Sequence, residues 1–521
     1  MSIPSFPQSR SPLMSGADAP TTAASTGRSR GWGSLRRLWA TPGAAWGAVV
    51  LACLASRLAT RITYIEDPDS LRFALSVADE YDIAALQPHF PGYPVFWFAA
   101  ELVAAPTGSF SVAFAVVGGL STAGLLWALL RLWGRPLRSV EGAALAALVL
   151  FNPLLWLMGT RYMPDLMGTA WAYATLAALV AALRTPSRPA ARRWALTGMA
   201  AAGLLAGLRL SYMPLVFLPV LAVLWRVEWR GRQVAAGAGG VLVWLVPLLL
   251  DTGVWTLVDV AWGQTTGHFT EFGGTVQTAP DLSRRVAGLV QGLWADGLGA
   301  WWPGRHGVTG VVGLGALGAG GLGLRRLWRR GAVYNRRAWL LGAAALLYGA
   351  WIFLFQNVIH KSRHVLPLLP VVLGVLAAGG TVLWRGAAGF RRRARRLLPL
   401  SLGAAYAAVA LVLAAQHTAP SAVAQAKAYV EQQADAGSTV RVASVPLVNN
   451  YLQAQQVDAR YFSVEDSADV RRLRRADTGR ILVVGTYSSL LDRTPTATRR
   501  FYHNPHVNRM WPEVTVYAYD H

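Results

Sequence analysis

The sequence predicts an α-helical polytopic membrane protein of about eleven spans, with a small α/β domain at its C-terminal end outside the cytoplasm. Three observations predict it. Of the 521 residues, 54% are hydrophobic and only 14% charged, far from a soluble globular average. Apolar runs of roughly 15–25 residues recur along the chain, each long enough for a helix to cross about 30 Å of hydrocarbon, and none shows the alternation of a barrel strand. Finally, the net charge of +23 is carried almost entirely by Arg, Lys occurring only at 361 and 427, and the Arg residues cluster in short connections between the runs. Arg clusters beside spans mark cytoplasmic loops and give no reason to invoke nucleic acid.

Residues 1–41, rich in Ser, Pro, Thr, Gly and Arg, read as a disordered cytoplasmic segment. The first apolar run, Trp46 to Thr60, begins too late for a cleavable signal peptide and contains the single Cys53, so no intrachain disulfide is available. Further runs begin at Ser109, Gly142, Leu166, Trp194, Met213, Val234, Val308, Trp339, Val365 and Leu397. With a cytoplasmic amino terminus, eleven crossings over 42–416 put the main Arg clusters on one side, provided Pro94 to Ala105 is interfacial or re-entrant. The opposite side then receives the acidic loop 64–108, the turn 159–166, the loop 253–306, the turn 356–364 and the tail 417–521. Within 253–306, Leu282, Val286, Leu289, Val290 and Leu293 share a helical face suited either to the headgroup plane or to the bundle. In the tail, 439–445, 459–462, 480–485 and 514–519 read as strands, with helices between them.

Most acids and histidines lie on the non-cytoplasmic side. The segment "YIEDPDSLRFALSVADEYDIAALQPHFPGYPVF" (64–96) holds Glu66, Asp67, Asp69, Asp79, Glu80 and Asp82. A helix starts near Asp67–Asp69, so either acid is suited to cap it, and Arg72 is one turn from Asp69. Gln87, His89 and Tyr93 occupy a proline-rich turn leading back toward the membrane. Asp165 opens a span in "RYMPDLMGTAWAYA", where an ionisable group facing lipid costs up to about 3 kcal/mol, so a polar surrounding is expected. "HKSRH" gathers His360, Lys361, Arg363 and His364 at the start of another span, a docking place for an anion at the bilayer surface. His268 and Glu271 lie in "GHFTEFGG". A carboxylate there can take a proton from a hydroxyl, and cations can stabilise a departing phosphate. Nucleotide-binding motifs and clustered metal-ligand Cys and His are absent from the sequence.

"DSLRFA" (69–74) with "PHFPGYPVF", then "YMPDLMGTAWAYA", then "SRHVLPLLP" (362–370), in that order and on one side, resemble the motifs of the GT-C superfamily of integral-membrane glycosyltransferases, the class of protein O-mannosyltransferases and aminoarabinose transferases. The resemblance covers roughly 50–380. It implies a GT-C-like fold and transfer of a sugar, with inversion, from a polyprenyl-phosphate-linked donor to a hydroxyl on a glycan, lipid or protein acceptor. Asp69 would be the catalytic base, with Asp67 its neighbour and Asp165 a second acidic site residue. Lys361 and Arg363 would contact phosphate, and Arg72, His89, Tyr93, His268, Glu271, His360 and His364 would line the substrates. The family's usual Asp-Glu pair is missing, since Ser70 follows Asp69 and the nearby acid is Asp67. No cofactor follows from the residues, and a divalent metal is left open. Arg preference over Lys with abundant Ala and Gly suggests a bacterial inner membrane. The alternative is a transporter or lipid flippase without glycosyl transfer, for which internally repeated halves would be wanted.

Overall fold

A computed structural model of the 521-residue chain describes residues 41–331, 336–385, 392–434, 440–475 and 479–520. Residues 1–40 of the disordered segment expected at 1–41 lie outside these, as do Arg391 and the side chains of Arg336, Arg337, Arg392, Arg393 and Arg395. The chain divides into Met1–Ala48, of which only the start of the first helix is described, and Val49–His521, which holds everything else.

Helices dominate: α1 (Pro42–Ala59), α2 (Pro68–Ala78), α3 (Pro94–Thr107), α4 (Phe110–Trp133), α5 (Val140–Leu150), α6 (Pro153–Met158), α7 (Asp165–Arg184), α8 (Arg188–Arg209), α9 (Met213–Arg226) and α10 (Arg230–Thr252). They continue as α11 (Val254–Gly267), α12 (Leu282–Gln291), α13 (Thr309–Arg329), α14 (Arg336–Phe355), α15 (Leu369–Arg385), α16 (Arg392–His417) and α17 (Ala422–Ala434). Side-chain caps fix several starts. Ser109, Ser139 and Asn152 accept from the backbone N–H groups of Val112, Gly142 and Leu155, satisfying donors that a helix leaves free.

Among the described residues, eight helical segments are long and apolar enough to cross a membrane: Pro42–Ala59, Phe110–Trp133, Asp165–Arg184, Arg188–Arg226, Arg230–Thr252, Ala338–Phe355, Ser362–Arg385 and Arg396–Ala434. The chain is thus a largely α-helical polytopic membrane protein with a strand-containing C-terminal extension. Eight differs from eleven for identifiable reasons. The run beginning at Gly142 breaks at Asn152 into two short helices. The run from Val308 is helical as Thr309–Arg329, but only sixteen of its residues precede Arg325 and Arg326, so its apolar stretch is short. Arg188–Arg226 counts once yet contains α8 and α9, joined by a tight turn at Leu210–Tyr212. Gly203 lies against Gly237 and Gly240, and Gly207 against the Trp244 ring, so α8 and α10 run in the same direction. The chain must reverse between them, and α9 does so, placing Val223 beside Ala195 and Met199.

Small residues set the close approaches. A Cβ on Gly118 of α4 would stand 1.9 Å from the carbonyl oxygen of Gly159. Backbone cannot yield there as a flexible side chain would, so Gly118→Ala should lower stability by about 1–3 kcal/mol, read as a lower thermal midpoint in detergent.

After α17 the chain builds a five-stranded sheet from β1 (Val440–Ser444), β2 (Arg460–Ser463), β3 (Arg480–Val484), β4 (Ala497–Tyr502) and β5 (Glu513–Tyr519), in the order β2-β1-β3-β5-β4. The β1–β2 and β1–β3 pairs are parallel and connect through α18 (Pro446–Gln453) and α19 (Ser467–Arg474); β5 pairs antiparallel with β3 and β4. Alternation divides the central strands between two cores. Val442, Leu482, Val484 and Val516 pack under α17 and α18, whereas Ala443, Ile481, Val483 and Tyr519 pack with Leu473 of α19. The first core also takes Leu71 of α2, so the helix carrying Asp69 rests on the sheet domain. Four strands match expectation; β4 and α18 were not expected, because "ATRRFY" is an exposed edge and α18 is only eight residues long.

Candidate functional site

The site is built on α2. Asp67 is its N-cap, accepting from the Ser70 N–H at 2.8 Å, and Pro68 fits the first helical position, where no N–H is needed. Of the two acids offered for capping, Asp67 caps. Its other oxygen accepts from the Asn508 side chain at 3.0 Å, so it faces the C-terminal segment.

Asp69, two residues on, turns the other way. Its Oδ2 accepts from Lys361 Nζ at 2.5 Å and from Arg363 Nη2 at 2.9 Å. The partners lie 292 and 294 residues away in sequence. Arg72 does not pair with it. Burial alone would raise the Asp69 carboxyl, but Lys361 and then Arg363 outweigh it and hold the group well below the usual carboxylate range. Arg363 also contacts Met163 Sδ at 2.9 Å, which locks it under the 159–166 turn.

A second polar centre adjoins. Asp165, fully buried at the start of α7, accepts from Arg209 Nη2 at 2.9 Å. Arg209 reaches Tyr93 Oη at 3.1 Å, and Tyr93 Oη lies 2.9 Å from His89 Nε2. Burial, then Arg72, push the His89 imidazole well below its ordinary pKa, with Asp69 opposing, so the ring is neutral at physiological pH. His89 thus lies within electrostatic reach of Asp69, Arg72, Arg209 and Arg363, which joins the two centres. Ser70 Oγ, His89 Nδ1, Asp165 Oδ2, Arg209 Nε and Arg363 Nε are buried and meet no hydrogen-bond partner among the described residues.

The structure therefore brings Asp69, Asp165, His89, Tyr93, Lys361 and Arg363 together. His364 is buried beside them, its carbonyl accepting from Tyr348. His268 binds the Phe355 carbonyl at 2.9 Å, while Glu271 and His360 are exposed and do not join the centre. Asp69 and Asp165 each face cations, and among the described residues no three His, Cys, Asp or Glu side chains converge on one point. As arranged, these residues do not form a divalent-metal site.

Sequence reasoning missed Arg209, Tyr212, Arg161 and the loop 503–509, and named Glu66 without giving it a role. Arg209 carried a signal, being an ionisable residue set between two apolar runs. Glu66 is buried against Arg161 and His417, with Arg161 also reaching the Val507 carbonyl. In the same loop His506 lies 3.2 Å from Asp296, and Arg509 donates to the Ile359 carbonyl at 2.7 Å, two residues before Lys361. Burial raises the Glu66 carboxyl, yet Arg161 and then His417 bring it below its ordinary value. A depressed carboxylate stabilises the fold fully above its unfolded pKa of about 4.3 and loses that contribution as pH falls through the folded value. Thermal midpoints should accordingly drop below about pH 4 in the parent protein, and Glu66→Gln should show a lower neutral midpoint with a shallower acid limb.

No family model and no curated protein matches the chain. Among solved structures it is similar to ArnT from Cupriavidus metallidurans bound to undecaprenyl phosphate, with a TM-score of 0.49 and 15% identity, covering 93% of this chain and 98% of that one. The apo state of ArnT from Cupriavidus metallidurans gives a TM-score of 0.48 at 15% identity, covering 94% and 98%. The Archaeoglobus fulgidus oligosaccharyltransferase in complex with zinc and sulfate gives 0.45 at 10% identity, covering 84% of this chain and 67% of that one.

Proposed function

We propose that the protein is a membrane glycosyltransferase that moves a sugar from a polyprenyl-phosphate donor to an acceptor hydroxyl, with Asp69 as general base. The observation that carries this reading is the Asp69–Lys361–Arg363 cluster, assembled from the acidic loop and the basic segment at the mouth of an apolar bundle. A carboxylate held by two cations is ionised but weakly basic. When a donor phosphate takes over Lys361 and Arg363, Asp69 is released from them and its proton affinity rises, beside the hydroxyl it must deprotonate. The same two cations then stabilise the phosphate as the bond from its oxygen to the anomeric carbon breaks. Base strength and leaving-group stabilisation are thus exchanged in one event. His89 and Tyr93, backed by Arg209 and Asp165, line the neighbouring wall.

Within this reading the site faces away from the cytoplasm of a bacterial inner membrane, eleven helices cross, and residues 417–521 form an extracytoplasmic domain. The motif order in the sequence and the concentration of Arg clusters in alternate connections between the spans support that orientation. The sugar transferred and the acceptor are set by experiment. Purified protein in lipid is incubated with a panel of radiolabelled polyprenyl-phosphate sugars and crude envelope acceptor. Sugar transfer with release of polyprenyl phosphate from at least one donor is expected. No turnover with any donor, while polyprenyl phosphate still binds, would overturn the assignment in favour of lipid handling.

A further inference from the structure

Against α2 lies a cavity of about 290 Å³ lined by Pro68, Leu71, Arg72 and Leu75 of that helix, with α18 of the sheet domain on its other wall. We propose that it is the acceptor subsite and that it takes an anionic, hydroxyl-rich group: a sugar bearing a carboxylate or a phosphate. The proposal rests on the glycosyltransferase reading for its role and on the cavity's own chemistry for its ligand.

The cation is Arg72. It makes no hydrogen bond or ion pair with another described residue, whereas the other cations around the candidate base are committed: Lys361 and Arg363 to Asp69, Arg209 to Asp165, and Arg161 to Glu66. At 100° per residue, Arg72 lies about 60° around α2 from Asp69 and one turn along it, on the border between cavity and base. Gln87, Asn450 and Gln453 add amide donors and acceptors suited to hydroxyl groups, over apolar walls that include Leu71 and Tyr451. An apolar cleft with a few convergent polar groups and one cation is how proteins hold acidic sugars in a defined orientation.

The cavity's two walls are also fastened to each other. Tyr451 of α18 donates to the Ile65 carbonyl at 2.5 Å, and Asn508 donates to Asp67, the cap of α2, at 3.0 Å. Leu71 and Tyr451 share one hydrophobic core. The two walls are therefore fixed relative to each other, and a ligand entering the cleft has little wall to reorganise.

The test measures binding and transfer separately, on the full chain in lipid nanodiscs. Binding of a hexuronic-acid-terminated oligosaccharide, a phosphohexose-terminated oligosaccharide and their neutral hexose counterpart is followed for the parent, Arg72→Met, Arg72→Lys and Asn450→Trp. The parent should bind one or both anionic probes in preference to the neutral one, and whichever binds identifies the acid. Arg72→Met should weaken that binding by about tenfold or more, with partial recovery in Arg72→Lys. Asn450→Trp, a change at an exposed position on the opposite wall, should block all the probes by filling the space. Equal binding of anionic and neutral probes, or loss of anionic binding on Lys361→Met but not on Arg72→Met, would overturn the proposal. Transfer to an envelope acceptor whose KM is unchanged in both Arg72→Met and Asn450→Trp would sink the subsite while leaving the enzyme reading intact. Selective anionic binding that depends on Arg72, without transfer from any donor, would uphold the site and remove only the catalytic assignment.

Discussion

Asp69→Asn is expected to reduce sugar transfer by about 10²- to 10⁴-fold in kcat while donor binding persists, the range for loss of a positioned general base. Asparagine keeps the shape of the side chain and its ability to accept from Lys361 and Arg363, but it cannot take a proton. Asp67→Asn should cost far less, because Asp67 is engaged as helix cap and as acceptor for Asn508. Asp69 has a structural share as well. It is the ion-pair partner of both Lys361 and Arg363, so neutralising it leaves two cations facing each other. A melting curve in detergent separates the effects: a drop in kcat at preserved folded fraction marks the base. A loss of activity that merely tracks unfolding, or equal losses in the Asp67 and Asp69 variants, would remove Asp69 from the chemistry.

The second large effect concerns stability. Arg209 and Asp165 form an ion pair whose side chains are only 6% and 1% exposed, so removing one partner strands the other charge away from water. Breaking such a pair costs about 3–5 kcal/mol, whereas replacing both members with apolar groups is far milder. Arg209→Met should therefore fail to purify as a stable protein or should melt much lower than the parent, and Arg209→Met with Asp165→Leu should recover much of the loss. Were the single and double variants to melt alike, the pair would not be carrying this load. Because Arg209 also holds Tyr93, the rescued double variant is expected to remain impaired in turnover.

What sequence reading could reach follows from the range of each interaction. Helix α2, its acidic start and the Arg-rich connections are local patterns, and so are the strands β1, β3 and β5, whose near-continuous apolar runs mark burial on both faces. Asp69, Lys361 and Arg363 were each visible as ionisable residues beside apolar runs, but the contact between them joins segments nearly 300 residues apart and has no local signature. Arg209 is marked by its setting, a single charge between two apolar runs, but nothing local names its partner Asp165, 44 residues earlier. Arg72 was noticed for the wrong partner: helical spacing offered Asp69, and two better-placed cations took it. The loop "HNPHVNRM" was passed over because its value lies wholly in what it meets, namely Asp67, Asp296 and the backbone before Lys361.

That loop bears on how the protein is made. Asn508 follows every candidate span in the chain and touches Asp67, 441 residues earlier. Among the described residues, every helix long enough to span is synthesised before residues 503–509, so the contact on Asp67 is supplied by late-synthesised chain. Contacts of such long sequence separation form slowly, so the Asp67–Asn508 contact is expected to be among the last that the folding chain makes.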